Sequence, residues 1–370
     1  MSCELRIYDK NFNWLGEIKT AESVQFRRDI YGGGGFEIHL NPAKRNVEHL
    51  VKRDNVVMLN GDPHKCGIIE DFRIKRDGNL CSATVYAFSP LKSLASRRIV
   101  VPPDDFQVPD SLGFDRANGN AETVLKHYVS RHLASPFDAN RKIANLTVAP
   151  NKNRGVQCDW QARYSPLAEE LRSIGEYADM GFEIYADLTN LRWVFDLIPG
   201  TDRTVTQSIV SPVTFKTEYQ NLAGYKYAAD AENLKTTGYA GGRGQNENRE
   251  IFTAGAGVSG LNRREVFLEC GGAADMTELE YYAWLKMTGF GEKISLEAAV
   301  LPGRIFVYER DFFLGDRVTL CVAELGITAP SKVSEVKEIF EPEGRDAVEI
   351  TLGAIPQSPF RKFMAKNDVL

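Results

Sequence analysis

Two stretches at opposite ends of the 370-residue chain share one strand grammar, and this constrains the fold more than any local motif. In the first, residues 54–88, Asp54 opens the short strand "NVVML"; in the last, residues 315–354, Asp316 opens "RVTLC". A polar turn follows in each. A long strand then carries a central glutamate beside apolar residues, at Ile69-Glu70 and at Glu335-Val336. A tight turn containing Gly78 or Gly344 leads into a closing strand, "ATVYAF" or "AVEITLGA". The pattern fits two copies of one β-barrel, although two unrelated meanders would share part of it.

The remaining punctuation divides the chain. Residues 1–105 read as short strands of alternating or β-branched residues, separated by turns at Asp9-Lys10-Asn11, Gly32–Gly35, Asn60–Pro63 and Asp77-Gly78. This is the first β-barrel domain. Residues 106–204 read as an α+β domain. The stretch that leads into it, "VPPDDFQVPDSLGFDRANGN", is a proline-rich loop or linker. In "AETVLKHYVSRHL" the residues Val124, Leu125, Tyr128 and Val129 share a helical face. In "YSPLAEELRSIGEYADMGF" Ser165 is placed to cap, Pro166 to open the helix and Gly181 to end it. A hairpin follows. Residues 205–357 form a second β-barrel domain with a helical insertion near 275–290, where Thr277 and Glu280 have capping-box spacing and Gly289 closes. Residues 358–370 are a short basic C-terminal tail. The expected fold is mainly β with an α+β insert.

Composition excludes some classes. The net charge of −5 lacks the basic footprint of a dedicated nucleic-acid binder. No apolar run approaches the roughly 20 residues that span a bilayer, so no membrane insertion is expected, and the N-terminus has no signal-peptide core. Six scattered cysteines (Cys3, Cys66, Cys81, Cys158, Cys270, Cys321) read as reduced core thiols.

The motifs that could carry chemistry fail on inspection. "YGGGGFEIHLNP" has neither the Lys nor the hydroxyl of a phosphate loop, and a strand rather than a helix follows its glycines. It reads as a loose hairpin turn using glycine's access to positive φ. "YAGGRGQNENREI", with Arg243 and Arg249, reads as a long exposed loop. His127 and His132, five apart, belong on different faces of a regular helix. His64, Cys66 and Cys81 could meet across a hairpin, but a surface histidine beside core thiols is the simpler reading. No nucleophile elbow is present. The doublets Arg27-Arg28, Arg97-Arg98 and Arg263-Arg264 read as solvated strand ends or subunit contacts, and Trp14, Trp160, Trp193 and Trp284 as core. No catalytic, cofactor-binding or metal residue is assigned.

Several ordered stretches together resemble a known family: "LRIYDKNFNWLGEI", "SVQFRRDIYGGGGFEIHLNP", "GIIEDF", "LKSLASRRIVVPP", "YAGGRGQNENREIF", "NRREVFLE" and "LGDRVTL…VSEVKEIFEPEGRDAVEITLG". They are similar to siphophage and prophage tail proteins related to the baseplate hub of T-even phages. Four glycines exceed the one or two usual there before the Phe-Glu pair. The resemblance implies a structural hub without enzymatic activity, built as a homotrimer with two related barrels per chain. Three chains then give a six-fold-like ring beneath a distal tail or tail-tube ring, above a tip fibre or spike protein. The tape-measure protein and passing DNA would occupy its channel without specific binding. The implied location is the virion tail, assembled in the host bacterial cytoplasm. Two other classes compete: a receptor- or carbohydrate-binding protein of the tail tip, and a cell-wall hydrolase, for which no motif is present.

Overall fold

The computed structural model describes residues 3–78, 80–103, 113–221, 224–300, 305–341 and 346–353. The tail at 358–370, residues 104–112 of the proline-rich loop and the turn at Gly344 lie outside them. Two compact units emerge: Met1–Tyr225 with Glu297–Leu352, and a second centred on Lys226–Leu296.

The first unit opens with β1 (Leu5–Tyr8), β2 (Trp14–Ile18), β3 (Ser23–Asp29), β4 (Gly34–Leu40), β5 (Val56–Leu59), β6 (Cys66–Asp77) and β7 (Leu80–Phe88), with helices α1 (Val47–Leu50) and α2 (Pro90–Ala95). An α+β part follows: β8 (Asp115–Asn120), α3 (Ala121–Val129), β9 (Leu146–Val148), β10 (Gln157–Ala162), α4 (Leu167–Ala178), β11 (Gly181–Asp187) and β12 (Arg192–Ile198). After β13 (Asp202–Arg203) and β14 (Thr214–Lys216), the chain leaves along β15 (Gly224–Asp230). The second unit carries β16 (Thr237–Gly241), β17 (Ile251–Ala254), β18 (Glu265–Glu269) and α5 (Met276–Met287). The chain returns along β19 (Lys293–Val300) and ends in β20 (Arg317–Val322), β21 (Ile327–Phe340) and β22 (Ala347–Gly353). The protein is mainly β.

The repeated grammar is visible as two meanders, β5–β6–β7 and β20–β21–β22, each a short strand, a long strand and a third strand that are neighbours in one sheet. Both long strands change partners near their central glutamate. Residues 66–68 of β6 pair with β5, its register against β7 skips Glu70, and the ladder then continues to Asp77. Residues 327–332 of β21 pair with β20, and residues 335–340 pair with β3. A bulged or shared long strand lets one strand turn a sheet's corner. The β21–β3 ladder also merges the two expected barrels into one sheet, whose path in this unit runs β22–β21–β3–β4–β7–β6–β5–β1–β2. Among the described residues no ladder closes that path on itself.

Strand β5 is buried on both faces, and its alternation divides the core. Val57 and Leu59 join Leu5, Ile7, Phe26, Phe36 and Ile38 inside the first strands. Val56 and Met58 face the other way, into a cluster with Val124, Leu125, Tyr128, Phe182, Trp193 and Phe195 of the α+β part. Segments 1–105 and 106–204 therefore share one core. Trp193 sits in it edge-on to Phe12, centroids 4.7 Å apart. Trp14, in contrast, is 62% exposed on the edge strand β2, against the expectation of a core residue.

Helix ends follow local chemistry, with two shifts from the sequence reading. Asn120 caps α3, accepting from Thr123 N, and Ser89 caps α2 ahead of Pro90. At α4 Pro166 takes the cap position instead of Ser165, and Asp179 rather than Gly181 adopts the left-handed exit. Gly181 instead opens β11, where an added Cβ would lie 3.0 Å from Ile30 O. At α5 the cap is Asp275, whose Oδ1 accepts from Glu278 N at 2.9 Å, while Glu278 reaches back to Ala274 N. The box stands two residues before Thr277 because Asp275, not Thr277, holds the extended backbone a cap requires.

Candidate functional site

The glycine run is a packed turn, not a loose one. Asp29 organises it: its Oδ1 accepts from Tyr31 N and Gly33 N, and its carbonyl accepts from Gly32 N. Ser89 closes the other side, its hydroxyl on Gly32 O and its N–H on Gly34 O. No glycine has room for a side chain. A Cβ on Gly34 would lie 2.1 Å from Arg27 O, and one on Gly35 would lie 2.0 Å from Ala87 O. Gly34 and Gly35 also hold φ of +98° and +137°.

This turn forms one wall of a joint that fastens the α+β part to the sheet. Backbone bonds run from Phe182 N to Ile30 O at 2.8 Å and from Ala186 N to Pro63 O at 3.0 Å. Between them lies a charged cluster. Arg28 Nη2 donates to Glu183 Oε2 at 2.8 Å, and His64 Nδ1 meets Glu183 Oε1 at 2.8 Å with its ring against Tyr185. Burial alone would raise Glu183, but the His64 hydrogen bond and the Arg28 charge outweigh it and hold the carboxyl below its ordinary value. The same hydrogen bond raises His64. The last strands are tied in by Asp179, which takes Arg317 at 2.6 Å and Lys332 at 2.7 Å.

A second cluster corrects the histidine reading. Helix α3 runs into a π-turn, Ser130–Ala134, where hydrogen bonds reach five residues back. That widened turn puts His127 and His132 on one side. His127 Nε2 lies 2.9 Å from Asp115 Oδ1, and His132 Nε2 lies 2.7 Å from Asp115 Oδ2. Asp115 is buried, which would raise its pKa, yet the two histidines hold it at about 2. On the opposite face of α3, buried Glu122 accepts from Lys126 at 2.6 Å and from Arg154 at 3.0 Å, and is likewise held at about 2 against its burial.

The other sequence candidates do not converge. His64 is engaged with Glu183, Cys66 Sγ points to Pro63 O, and Cys81 lies on β7 against Arg76 of β6. Among the described residues no group of three His, Cys, Asp or Glu side chains is placed to hold a metal ion. In the loop after β16, residues 243–248 are exposed as expected, but Arg249 is consumed by Glu269 and the ring of Phe267. Arg28, read as a solvated strand end or subunit contact, is the partly buried centre of the joint. The sequence signal that could have found it is the apolar alternation of β3, which a single arginine interrupts. What these clusters do chemically is neutralise one another and clamp distant segments together.

A family model described as Siphovirus ReqiPepy6 Gp37-like protein matches residues 4–354. No curated protein matches the sequence. Among solved structures, the tail protein from Neisseria meningitidis MC58 superposes with a TM-score of 0.58 at 12% identity, covering 97% of this chain and 99% of that one. The 43 kDa tail protein of prophage MuSo2 from Shewanella oneidensis gives 0.57 at 10% identity, covering 94% and 98%. Prophage tail protein gp18 from Listeria monocytogenes EGD-e gives 0.50 at 13% identity, covering 98% of each chain. At these identities the likeness is one of fold, and it runs the length of each chain.

Proposed function

The chain belongs to the Siphovirus ReqiPepy6 Gp37-like family of siphovirus tail proteins, and on that premise we propose that it is the baseplate or tail-tip hub. In this reading it is a homotrimeric adaptor without enzymatic activity. It joins the six-fold tail tube or distal tail ring to a three-fold tip that carries a fibre or spike, and it lines the central channel. The tape-measure protein and DNA pass through that channel unbound. The virion tail is its place, after assembly in the host cytoplasm.

The observation that carries this reading is the pair of meanders, β5–β6–β7 and β20–β21–β22, in one chain. In this reading each meander marks one of two related modules of the shared sheet, and three chains then offer six such modules to a six-fold ring. The three-fold rotation closes the ring, and the duplication within each chain supplies the six positions. Light scattering on the purified chain, alone and with the neighbouring tail ring, tests it: a trimer in either condition supports the hub, and a strict monomer that joins no tail assembly overturns it. Zymography on host cell walls tests the absence of hydrolase activity.

One observation favours a second reading, a receptor- or carbohydrate-binding protein of the tip. Trp14 stands 62% exposed on an edge strand, and an exposed indole offers the large amphipathic surface that is enriched at interfaces. Competable hits on a glycan array that vanish in Trp14→Ala would favour it.

A further inference from the structure

A cleft of about 320 Å³ opens in the first unit, between the β1–β2 turn, the end of α2 and the loop before β9. Its floor is apolar: Val56, Ile68, Leu94 and Trp193 line it, each less than a tenth exposed. Its rim is cationic. Among the described residues of the lining Asp54 is the one carboxylate, and Arg97 holds it at 3.0 Å. Among the described residues the other cations have no such neutraliser, and Arg98 donates to backbone carbonyls alone, Nη1 to Arg97 O at 3.0 Å and Nη2 to Arg141 O at 3.3 Å. Arg141 donates in turn to Ile99 O at 2.6 Å. Among the described residues the Lys10 ammonium makes no ion pair, and Arg98 Nε is buried with no hydrogen-bond partner.

Arg98 rests on the Arg141 carbonyl and Arg141 on that of Ile99, so the two guanidiniums lie near enough to repel. Burial first and the Arg98 charge second lower the pKa of Arg141, and the Asp138 charge offsets only part of this. Among the described residues neither the Arg98 guanidinium nor the Lys10 ammonium has a carboxylate partner, so the rim offers an incoming anion two cations that nothing neutralises. The volume suits one large apolar side chain presented from outside. The half-open form, with Lys10 and Asn11 exposed at its edge, would leave a free small molecule wetter than the 70–90% burial typical of enclosed ligands.

We propose that this cleft docks an extended segment of a partner protein, seating an apolar side chain on Trp193 and an adjacent aspartate or glutamate on Arg98 and Lys10. That the partner is a tail neighbour rests on the hub reading; the site does not.

The test is titration of the full chain, followed by NMR, with acetyl-Phe-Glu-Phe-amide, acetyl-Phe-Gln-Phe-amide and 3-phenylpropionate. The glutamate peptide is expected to saturate one site and to bind about tenfold more tightly than the glutamine peptide, because a charge-assisted hydrogen bond is at stake. Arg98→Gln should erase that preference and the exposed Lys10→Gln should reduce it, whereas Arg73→Gln, on the distant β6 hairpin, should leave it intact. Equal binding of the two peptides, or no saturation at ~10 mM, where even a millimolar complex would fill, overturns the site. Tighter binding of 3-phenylpropionate than of the glutamate peptide overturns the partner-segment assignment. Because the isolated chain is titrated, the result stands or falls separately from trimer formation.

Discussion

Arg28 on β3 and Glu183 on β11, 155 residues apart, share a 2.8 Å ion pair with only 16% and 15% of their side chains exposed. Removing one partner of such a pair strands the other, which typically costs about 3–5 kcal/mol. Glu183→Gln and Arg28→Met should each lower the unfolding free energy by about 3 kcal/mol. The double variant should cost less than the sum of the two, since contacting residues couple. Urea denaturation measures this, and strict additivity would mean that the pair is not a clamp.

The second prediction concerns acid. Asp115 and Glu122 are both held at about 2, below their unfolded values of about 4. Their stabilisation is therefore complete above pH ~4 and is lost as pH falls towards ~2. His132, lowered by burial, loses stability as pH falls through its unfolded value of about 6.5, whereas His64, raised by Glu183, gains as pH falls towards that value, so the two oppose each other. The steep fall in Tm should therefore lie below pH ~4, and Asp115→Asn should flatten it. A Tm unchanged down to pH ~2.5 would contradict the assignment.

The glycine turn gives a third. Gly35→Ala places a methyl 2.0 Å from Ala87 O at φ +137° and should cost at least about 3 kcal/mol, combining overpacking with backbone strain. Gly78→Ala, at φ +59° with nothing within 4 Å, should cost only about 1 kcal/mol. Equal costs would restore the loose turn.

The thiols give a fourth. Burial pushes Cys158 up to about 12 and raises Cys66 further, and both are sealed in the core. Iodoacetamide at pH ~8 should leave both unmodified in the native protein and alkylate them after unfolding, because the thiolate is the nucleophile. Rapid native labelling of either would show that the core opens.

What the sequence made legible was periodic or local. The meanders follow from alternation and turn residues, and the α3 stripe follows from its spacing, with Val124, Leu125, Tyr128 and Val129 all fully buried. What stayed hidden needed a partner far along the chain. β21 pairs with β3 across some three hundred residues, so the merged sheet leaves no local mark. His127 and His132 meet only because a π-turn departs from the helical period assumed for them. The four glycines announced positive φ, but not that Leu91, Asp29, Arg27 and Ala87 crowd each of them in turn. The loop "DRANGN" looked structureless because its ladder partner, β10, lies some forty residues on.

Cryo-EM of the assembled tail tests the hub most directly. The expected map shows three copies of the chain, three times 41.4 kDa, around the axis where the tube meets the tip, with the β5–β7 and β20–β22 meanders alternating in quasi-equivalent positions under the six-fold ring. A map in which the chain is a single peripheral copy, or in which only one of the two meanders faces the ring, would contradict it.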